Sequence, residues 1–325
     1  MKQVTIVVPE CRVNMNTIGG AFDILNIAND YWMRTGNAAA IEVRIAGFMS
    51  EQRSHSEYLS IHPIAIETIK KTDLILIPAP LSDHENAVKN NQQLTRWIRT
   101  QYENGAEVAS MCAGGFLLAA TGLLNGKRCS IHWNAIKDFK QLFPEVEVAG
   151  EKIITAEKGI YTNGGAYSFL NLILYLVEKL FDRTTAVYCS KFFQIDIERH
   201  TQSPFTIFDL QKGHDDELIG QAQTYIEEHI DAKISFEQLA KTLAISRRNF
   251  DRRFIRATGD TPVAYLQRVK IEAAKKELEK GQKTVFEVML DVGYADDKAF
   301  REVFKKITGL SPTAYRSKYT TVALN

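Results

Sequence analysis

An internal repeat constrains this chain more than any other feature. "NFDRRFIRATGDTPVAYLQR" (249–268) returns as "AFREVFKKITGLSPTAYRSK" (299–318). Phe250, Phe254, Thr258, Gly259, Pro262, Ala264 and Tyr265 recur fifty positions on as Phe300, Phe304, Thr308, Gly309, Pro312, Ala314 and Tyr315. Upstream, Phe236 and Glu237 match Phe286 and Glu287 at the same spacing. So many matches in one register point to the duplication of one structural unit.

Each copy reads as two short helices and a turn. "SFEQLAKTLAI" (235–245) opens on a capping serine, and so does "SRRNFDRRFIRAT" (246–258). Phe250 and Phe254 lie four apart and face a core, which leaves Arg247, Arg248, Asp251, Arg252, Arg253 and Arg256 on the other side. A short helix buttressing a basic one is a helix-turn-helix, and its second helix fits a DNA major groove. In the second copy, "TVFEVMLDVGY" precedes "ADDKAFREVFKKITG", with Asp296 as N-cap and Lys298, Arg301, Lys305 and Lys306 as the basic set. Between the copies, "PVAYLQRVKIEAAKKELEKG" (262–281) reads as one long amphipathic helix. An ordinary bundle would also carry charged outer faces, but the charge is unevenly distributed. The net charge is +1, yet residues 233–325 carry about +8, so the remainder is acidic.

The first two hundred residues differ. "VTIVVP" (4–9), "IEVRIAGF" (41–48), "DLILIPA" (73–79) and "EVASM" (107–111) read as strands. Between and after them, 18–34, 86–104, 113–121, 166–180 and 184–193 have helical spacing. Continuous apolar strands alternating with helices imply a parallel sheet covered on both faces. The stretch 200–216 holds proline, glycine and mixed polar residues and reads as a linker. The expected organisation is therefore an α/β domain over 1–199, a linker over 200–216, and an all-α domain over 217–325. No run approaches ~18 apolar residues, and the N-terminus lacks the parts of a signal peptide, so a cytoplasmic protein with reduced thiols is expected. The four cysteines form no zinc pattern, and neither a metal nor a cofactor is expected.

"SMCAGGF" (110–116) sets Cys112 between a strand and a helix, as a nucleophile elbow does. A helix start would lower its thiol pKa, and glycines at 114 and 115 would admit a ligand. Equally, Cys112 could be a small buried residue at a strand end. His55, His62, His84, His200, His214 and His229 lie in loop-like or linker stretches and read as solvated surface.

Two resemblances add to this. "ISRRNFDRRFIRATGDTPVAYLQRVKIEAAKKEL" and "VGYADDKAFREVFKKITGLSPTAYR" resemble the AraC/XylS DNA-binding domain, over roughly residues 217–320. The resemblance implies that both second helices enter successive segments of the major groove. By position, Arg248, Asn249, Asp251 and Arg252 would read bases in the first and Asp297, Lys298, Arg301 and Glu302 in the second. Arg247, Arg253 and Lys305 would mainly meet phosphates. "DLILIPAP…VASMCAGGFLLAATGLLNGKRCSIHW" and "YTNGGAYSFLNLILYLVEKL" resemble the ThiJ/PfpI branch of the class I glutamine amidotransferase-like superfamily, a flavodoxin-like fold, over roughly residues 3–195. There Cys112 takes the elbow and His132 the place of a pocket histidine. Ala113 stands where protease-like members carry histidine, and Asn16 stands where a tuning glutamate is usual. Glu10 is the only carboxylate in that loop.

Nucleophilic catalysis needs a thiolate, a base and a group orienting the base. With the acid missing, the expectation is no enzyme but a ligand pocket lined by Asn16, Cys112, Ala113, Gly114 and His132. The whole then reads as a transcription regulator that binds double-stranded DNA, answers to a small-molecule effector and forms a homodimer. Segment 196–230 would couple the two domains as a linker helix. The rivals are a cysteine hydrolase or glyoxalase-like enzyme with a DNA-binding tail, and a sensor whose signal is oxidation of Cys112.

Overall fold

The structure, a computed structural model, describes residues 1–48, 52–53, 60–81 and 83–320. His55 lies outside them. Contacts divide the chain into two compact units, Met1–Gln202 and Ser203–Asn325.

The first unit is built on a seven-stranded sheet. Its strands are β1 (Lys2–Val8), β2 (Ile41–Gly47), β3 (Ile64–Ala65), β4 (Leu74–Ile77), β5 (Glu107–Ser110), β6 (Ile154–Glu157) and β7 (Ile160–Asn163), in the order β6-β7-β5-β4-β1-β2-β3. All pairings are parallel except β6–β7, which is antiparallel. The sheet is thus mostly, not wholly, parallel. The hairpin turns through Lys158 (φ 50°) and Gly159 (φ 76°), the two left-handed residues that a tight hairpin needs. β1, β4 and β5 are almost wholly buried, so their apolar runs have no polar alternation.

Among the described residues this unit has seven α-helices: α1 (Met15–Arg34), α2 (His84–Asn90), α3 (Gln92–Glu103), α4 (Gly114–Ala120), α5 (Ile136–Leu142), α6 (Phe169–Leu180) and α7 (Arg183–Phe193). The single helix expected over 86–104 is two. Asn91 breaks it: its side chain donates to Ala87 O at 2.8 Å and accepts from Glu10 N–H at 2.7 Å. Such side-chain competition for backbone groups is why asparagine disfavours helix interiors. His84, expected on the surface, is half-buried and stacks on Phe116 at 4.1 Å between ring centres.

The regular elements of the second unit are all helices among its described residues. It comprises α8 (Glu217–Glu228), α9 (Phe236–Thr242), α10 (Arg247–Thr258), α11 (Pro262–Lys280), α12 (Val285–Asp291), α13 (Asp297–Thr308) and α14 (Pro312–Tyr319). Phe250, Phe254, Phe300 and Phe304 are fully buried, as their spacing requires. Burying each such ring is worth roughly 1.5–3 kcal/mol. Thr258 and Thr308 donate to the carbonyls of Phe254 and Phe304, both at 2.8 Å, and Gly259 and Gly309 end their helices in the left-handed region.

The duplicate is not in one register throughout. α9 is capped by Ser235 and α12 by Thr284, forty-nine positions apart, whereas Ser246 and Asp296 cap α10 and α13 fifty apart. Leu239 and Ala240 are buried, as are Val288 and Met289, again at forty-nine. Both buttressing helices end in the same motif. Ile245 N–H donates to Ala240 O and Tyr294 N–H to Met289 O, with Ala244 (φ 55°) and Gly293 (φ 70°) at the left-handed position. One residue has therefore been inserted in the second turn, just before α13. The match of Phe236 and Glu237 with Phe286 and Glu287 is a coincidence of sequence: Phe236 is 7% exposed and Phe286 58%.

The stretch expected to be a linker is largely a strap on the second unit. Phe208 and Leu210 join the core of α8, α9 and α10. Leu210 O accepts from Gln223 Nε2 at 2.9 Å and from Tyr265 Oη at 3.0 Å, and Lys212 pairs with Glu227 at 2.7 Å. α8 packs into the first helix-turn-helix, where Ile219, Ala222 and Ile226 are fully buried.

Candidate functional site

The outer faces of α10 and α13 form the candidate nucleic-acid interface. Arg248, Arg252 and Arg256 are exposed on α10, and Asn249 is half-exposed. Asp297, Lys298, Arg301, Glu302, Lys305 and Lys306 are exposed on α13. Each helix carries one ion pair of spacing four, with the charges reversed. In α10, Arg247 Nε donates to both oxygens of Asp251 at 2.9 and 3.0 Å; in α13, Arg301 Nε donates to Asp297 Oδ2 at 2.7 Å. Asp251 and Asp297 thus orient arginines. Arg247 also lies over the ring of Phe236, 5.5 Å from its centre, which ties it to α9.

Arg253, expected to meet phosphate, is committed elsewhere. Its guanidinium donates to both oxygens of Asp216 at 2.9 and 2.6 Å, and it holds that carboxyl below the usual aspartate range. Asp216 also caps α8 through Ile219 N–H. A bidentate pair of this kind fixes α10 against α8. Sequence spacing could not show this, since the two residues are thirty-seven positions apart.

In the first unit, the sequence order of the strands reverses beside β1, and ligands of open α/β sheets bind outside the strand ends at such points. Here the loops after β1 and β4 are laced together: Asn14 N–H donates to Ala79 O at 2.9 Å and Leu81 N–H to Arg12 O at 3.0 Å. Cys112 follows β5 at φ 51°, the sharp turn that its sequence context predicts. It is 9% exposed. Burial pushes its thiol up to about 11, outweighing a lowering contact from the Ala113 backbone.

The two glycines after the cysteine face protein. A Cβ on Gly114 would lie 2.6 Å from Ile77 O and 2.8 Å from Pro78 O, and one on Gly115 would lie 2.7 Å from Ile131 Cδ1. Gly114 thus lets α4 approach the end of β4, and Gly115 lets it approach Ile131. Ala113 is likewise buried.

Asn163 is the residue that sequence reasoning missed. It is fully buried at the end of β7. Its Oδ1 accepts from Cys112 N–H at 2.9 Å, and its Nδ2 donates to Gly165 O at 3.1 Å and Ser168 Oγ at 2.9 Å. It therefore holds the elbow from the side. The same turn reaches the other expected pocket residues. Asn16, exposed on α1, donates to Tyr167 Oη at 3.1 Å. Gly164 abuts Gln202, whose Oε1 accepts from Trp133 N–H at 3.3 Å and whose Nε2 donates to Ile131 O at 2.9 Å, on either side of His132. The turn 163–168 thus borders Asn16, Cys112 and the His132 loop.

His132 accepts from Asn134 N–H through Nδ1 at 3.2 Å, and burial lowers its pKa. Among the described residues no hydrogen bond joins it to Cys112, and no carboxylate acts on either group. Glu10 is exposed, and its backbone is held by Asn91. Cys129 is fully buried, with its thiol pushed up to about 12. No group of three or more His, Cys, Asp or Glu among the described residues is placed to hold a metal. Nor is any described helix long and apolar enough to cross a membrane.

Comparison with known proteins joins the two units. The DJ-1/PfpI family profile matches residues 28–179, and a helix-turn-helix domain profile matches residues 239–318. The chain belongs to the AraC family of DNA-binding transcriptional regulators, with an N-terminal DJ-1/PfpI domain. It is similar to the HTH-type transcriptional regulator CdhR of Pseudomonas aeruginosa, at 25% identity over 254 residues, 78% of this chain and 74% of CdhR. It is also similar to GbdR of the same species, at 21% identity over 217 residues, 66% of this chain and 59% of GbdR's length. The fold of its first part is that of Drosophila melanogaster DJ-1beta, with a TM-score of 0.50 and 19% identity over 60% of this chain and 98% of that one. In the DJ-1-like domain of this AraC-family chain, Cys112 sits on a left-handed turn and is nearly buried.

Proposed function

We propose that this chain binds a specific double-stranded DNA site through α10 and α13, under the control of a small molecule held beside the turn 163–168. The observation that carries the reading is the pair of recognition helices, each backed by buried phenylalanines and exposing a basic outer face. α11 joins them and spans ~28 Å at ~1.5 Å per residue. That is comparable with the ~34 Å of one DNA turn, as two helices reading one side of a duplex require.

Arg248, Asn249 and Arg252 are the base readers of α10; Lys298, Arg301 and Glu302 are those of α13. Arg256, Lys305 and Lys306 are the phosphate contacts. Arg252→Ala is expected to relax preference at one base pair and to cost about 1–3 kcal/mol there. Anisotropy titrations of the DNA flanking the chain's own gene, at low salt, check both parts. Absence of any site tighter than random duplex would end the reading.

For the first domain, a small ligand would meet Asn16, Tyr167 and His132, with Cys112 as a buried floor rather than a reactive group. A thiol raised to about 11 holds little thiolate near neutral pH, which weighs against the hydrolase and the oxidation-sensor alternatives. The effector's signal would pass to α10 through the strap and its Asp216–Arg253 pair.

Dimerisation is assigned to α1 and α7. Tyr31 stacks on Tyr188 at 3.9 Å, Phe192 is 55% exposed, and a cleft of about 650 Å³ lined by Ile27, Asp30, Met33, Arg34, Tyr188 and Phe192 lies there. Asp30 and Arg34 share this surface, so two copies in two-fold array would pair acid with base. Phe192→Glu is expected to shift the protein from dimer to monomer in sedimentation at micromolar concentration. An unchanged species would move the interface elsewhere.

A further inference from the structure

The two recognition helices differ at one position in a way that the rest of the repeat does not predict. Fifty positions after Arg252 stands Glu302, and both are exposed. Arg252 Nη2 donates to Asn249 Oδ1 at 3.1 Å, which leaves the rest of its fork facing outward. The other acids of the two helices are spoken for. Asp251 receives Arg247, Asp297 receives Arg301, and Asp296 caps α13 through Ala299 N–H at 2.8 Å. Glu302 forms neither a hydrogen bond nor an ion pair among the described residues, although Lys298, Lys305 and Lys306 lie three or four positions away. Helical neighbours at those spacings are within reach, so the carboxylate is available to a partner outside the chain.

A carboxylate turned toward phosphates is repelled unless it accepts a hydrogen bond from a base. The major groove offers two amino donors. Cytosine presents N4 alone, which suits a carboxylate. Adenine presents N6 beside the acceptor N7, which suits the amide of asparagine or glutamine and repels a second acceptor. The structure assigns Glu302 to cytosine, as the residue by which α13 reads a different base from α10, where Arg252 reads guanine. The duplicated protein unit therefore recognises two chemically unlike half-sites, and the DNA site has a fixed direction along the chain. This assignment rests on the DNA-binding reading above and adds the specificity of its second half.

The test is selection from randomised duplexes by the full chain, followed by affinities for single-base variants. Wild type and Glu302→Gln are compared, with Arg252→Ala as the marker for the first half-site. Wild type is expected to lose about 5- to 150-fold on replacement of one cytosine in the second half-site. Glu302→Gln is expected to move the preference at that position to adenine and to leave every other position as it was. Because Glu302 is exposed and unpartnered, its far-UV spectrum and melting should match wild type. Two outcomes overturn the assignment. One is a Glu302→Gln protein that binds all duplexes more tightly by one factor with the same base preferences, which would make the carboxylate a mere repulsive charge. The other is a selected site with the same base at both equivalent positions. If wild type selects no sequence at all, the DNA-binding reading fails first and this one with it.

Discussion

Gly293→Ala should unfold the second helix-turn-helix at a denaturant concentration at which the first is still intact. Gly293 ends α12 at φ 70°, and an added Cβ would stand 2.5 Å from Asp231 O and 2.7 Å from its carbonyl carbon. Alanine in the left-handed region costs about 1 kcal/mol. The overlap is with backbone, which cannot rotate away, and forced shifts of that kind cost about 1–3 kcal/mol more. The expected loss is thus about 2–4 kcal/mol, borne by the turn that aims α13. The equivalent position in the first copy is Ala244, at φ 55°. Ala244→Gly should relieve strain there and raise stability by up to about 1 kcal/mol. Calorimetry of the two variants beside wild type checks the pair. Opposite signs support the forty-nine-residue equivalence of the two turns, whereas a neutral Gly293→Ala would refute it.

The other large effect is expected at Asn163. Replacement by leucine keeps the approximate volume but removes an acceptor from Cys112 N–H and a donor from Gly165 O and Ser168 Oγ. All are buried, and each buried unsatisfied polar group costs about 1–3 kcal/mol. Cys112 would also lose the bond that secures its left-handed backbone. A loss of about 3–5 kcal/mol is expected in urea unfolding of the first unit, together with faster alkylation of Cys112 as the elbow loosens. A loss below about 1 kcal/mol, with alkylation unchanged, would show that the turn is held by α4 packing instead.

Much of the fold was legible because period and length carried it. Buried strands such as Leu74–Ile77 are continuous apolar runs, and the phenylalanines of α10 and α13 repeat at four. What was not legible depends on contacts distant in sequence. Asn91 breaks a helix by bonding to Glu10, Arg253 turns to Asp216, and Asn163 reaches across to Cys112. A polar residue's spacing does not reveal which distant group will satisfy it. The coincidence at Phe286 is a different failure. Identity in a duplicated sequence is not equivalence in space, because a one-residue insertion separates the two. The elbow itself was foreseen at Cys112, but burial reversed the expected lowering of its thiol pKa.

The strap over 203–216 bears on how such proteins are assembled by gene fusion. A recombination junction placed at residue 217, where the helices begin, would strip Phe208 and Leu210 from the core of the first helix-turn-helix and take Asp216 from Arg253. A junction at 203 keeps them. The inheritable module is thus the strap with its helices. A sensor of unrelated ancestry grafted ahead of residue 203 would meet a DNA-binding unit that keeps its strap.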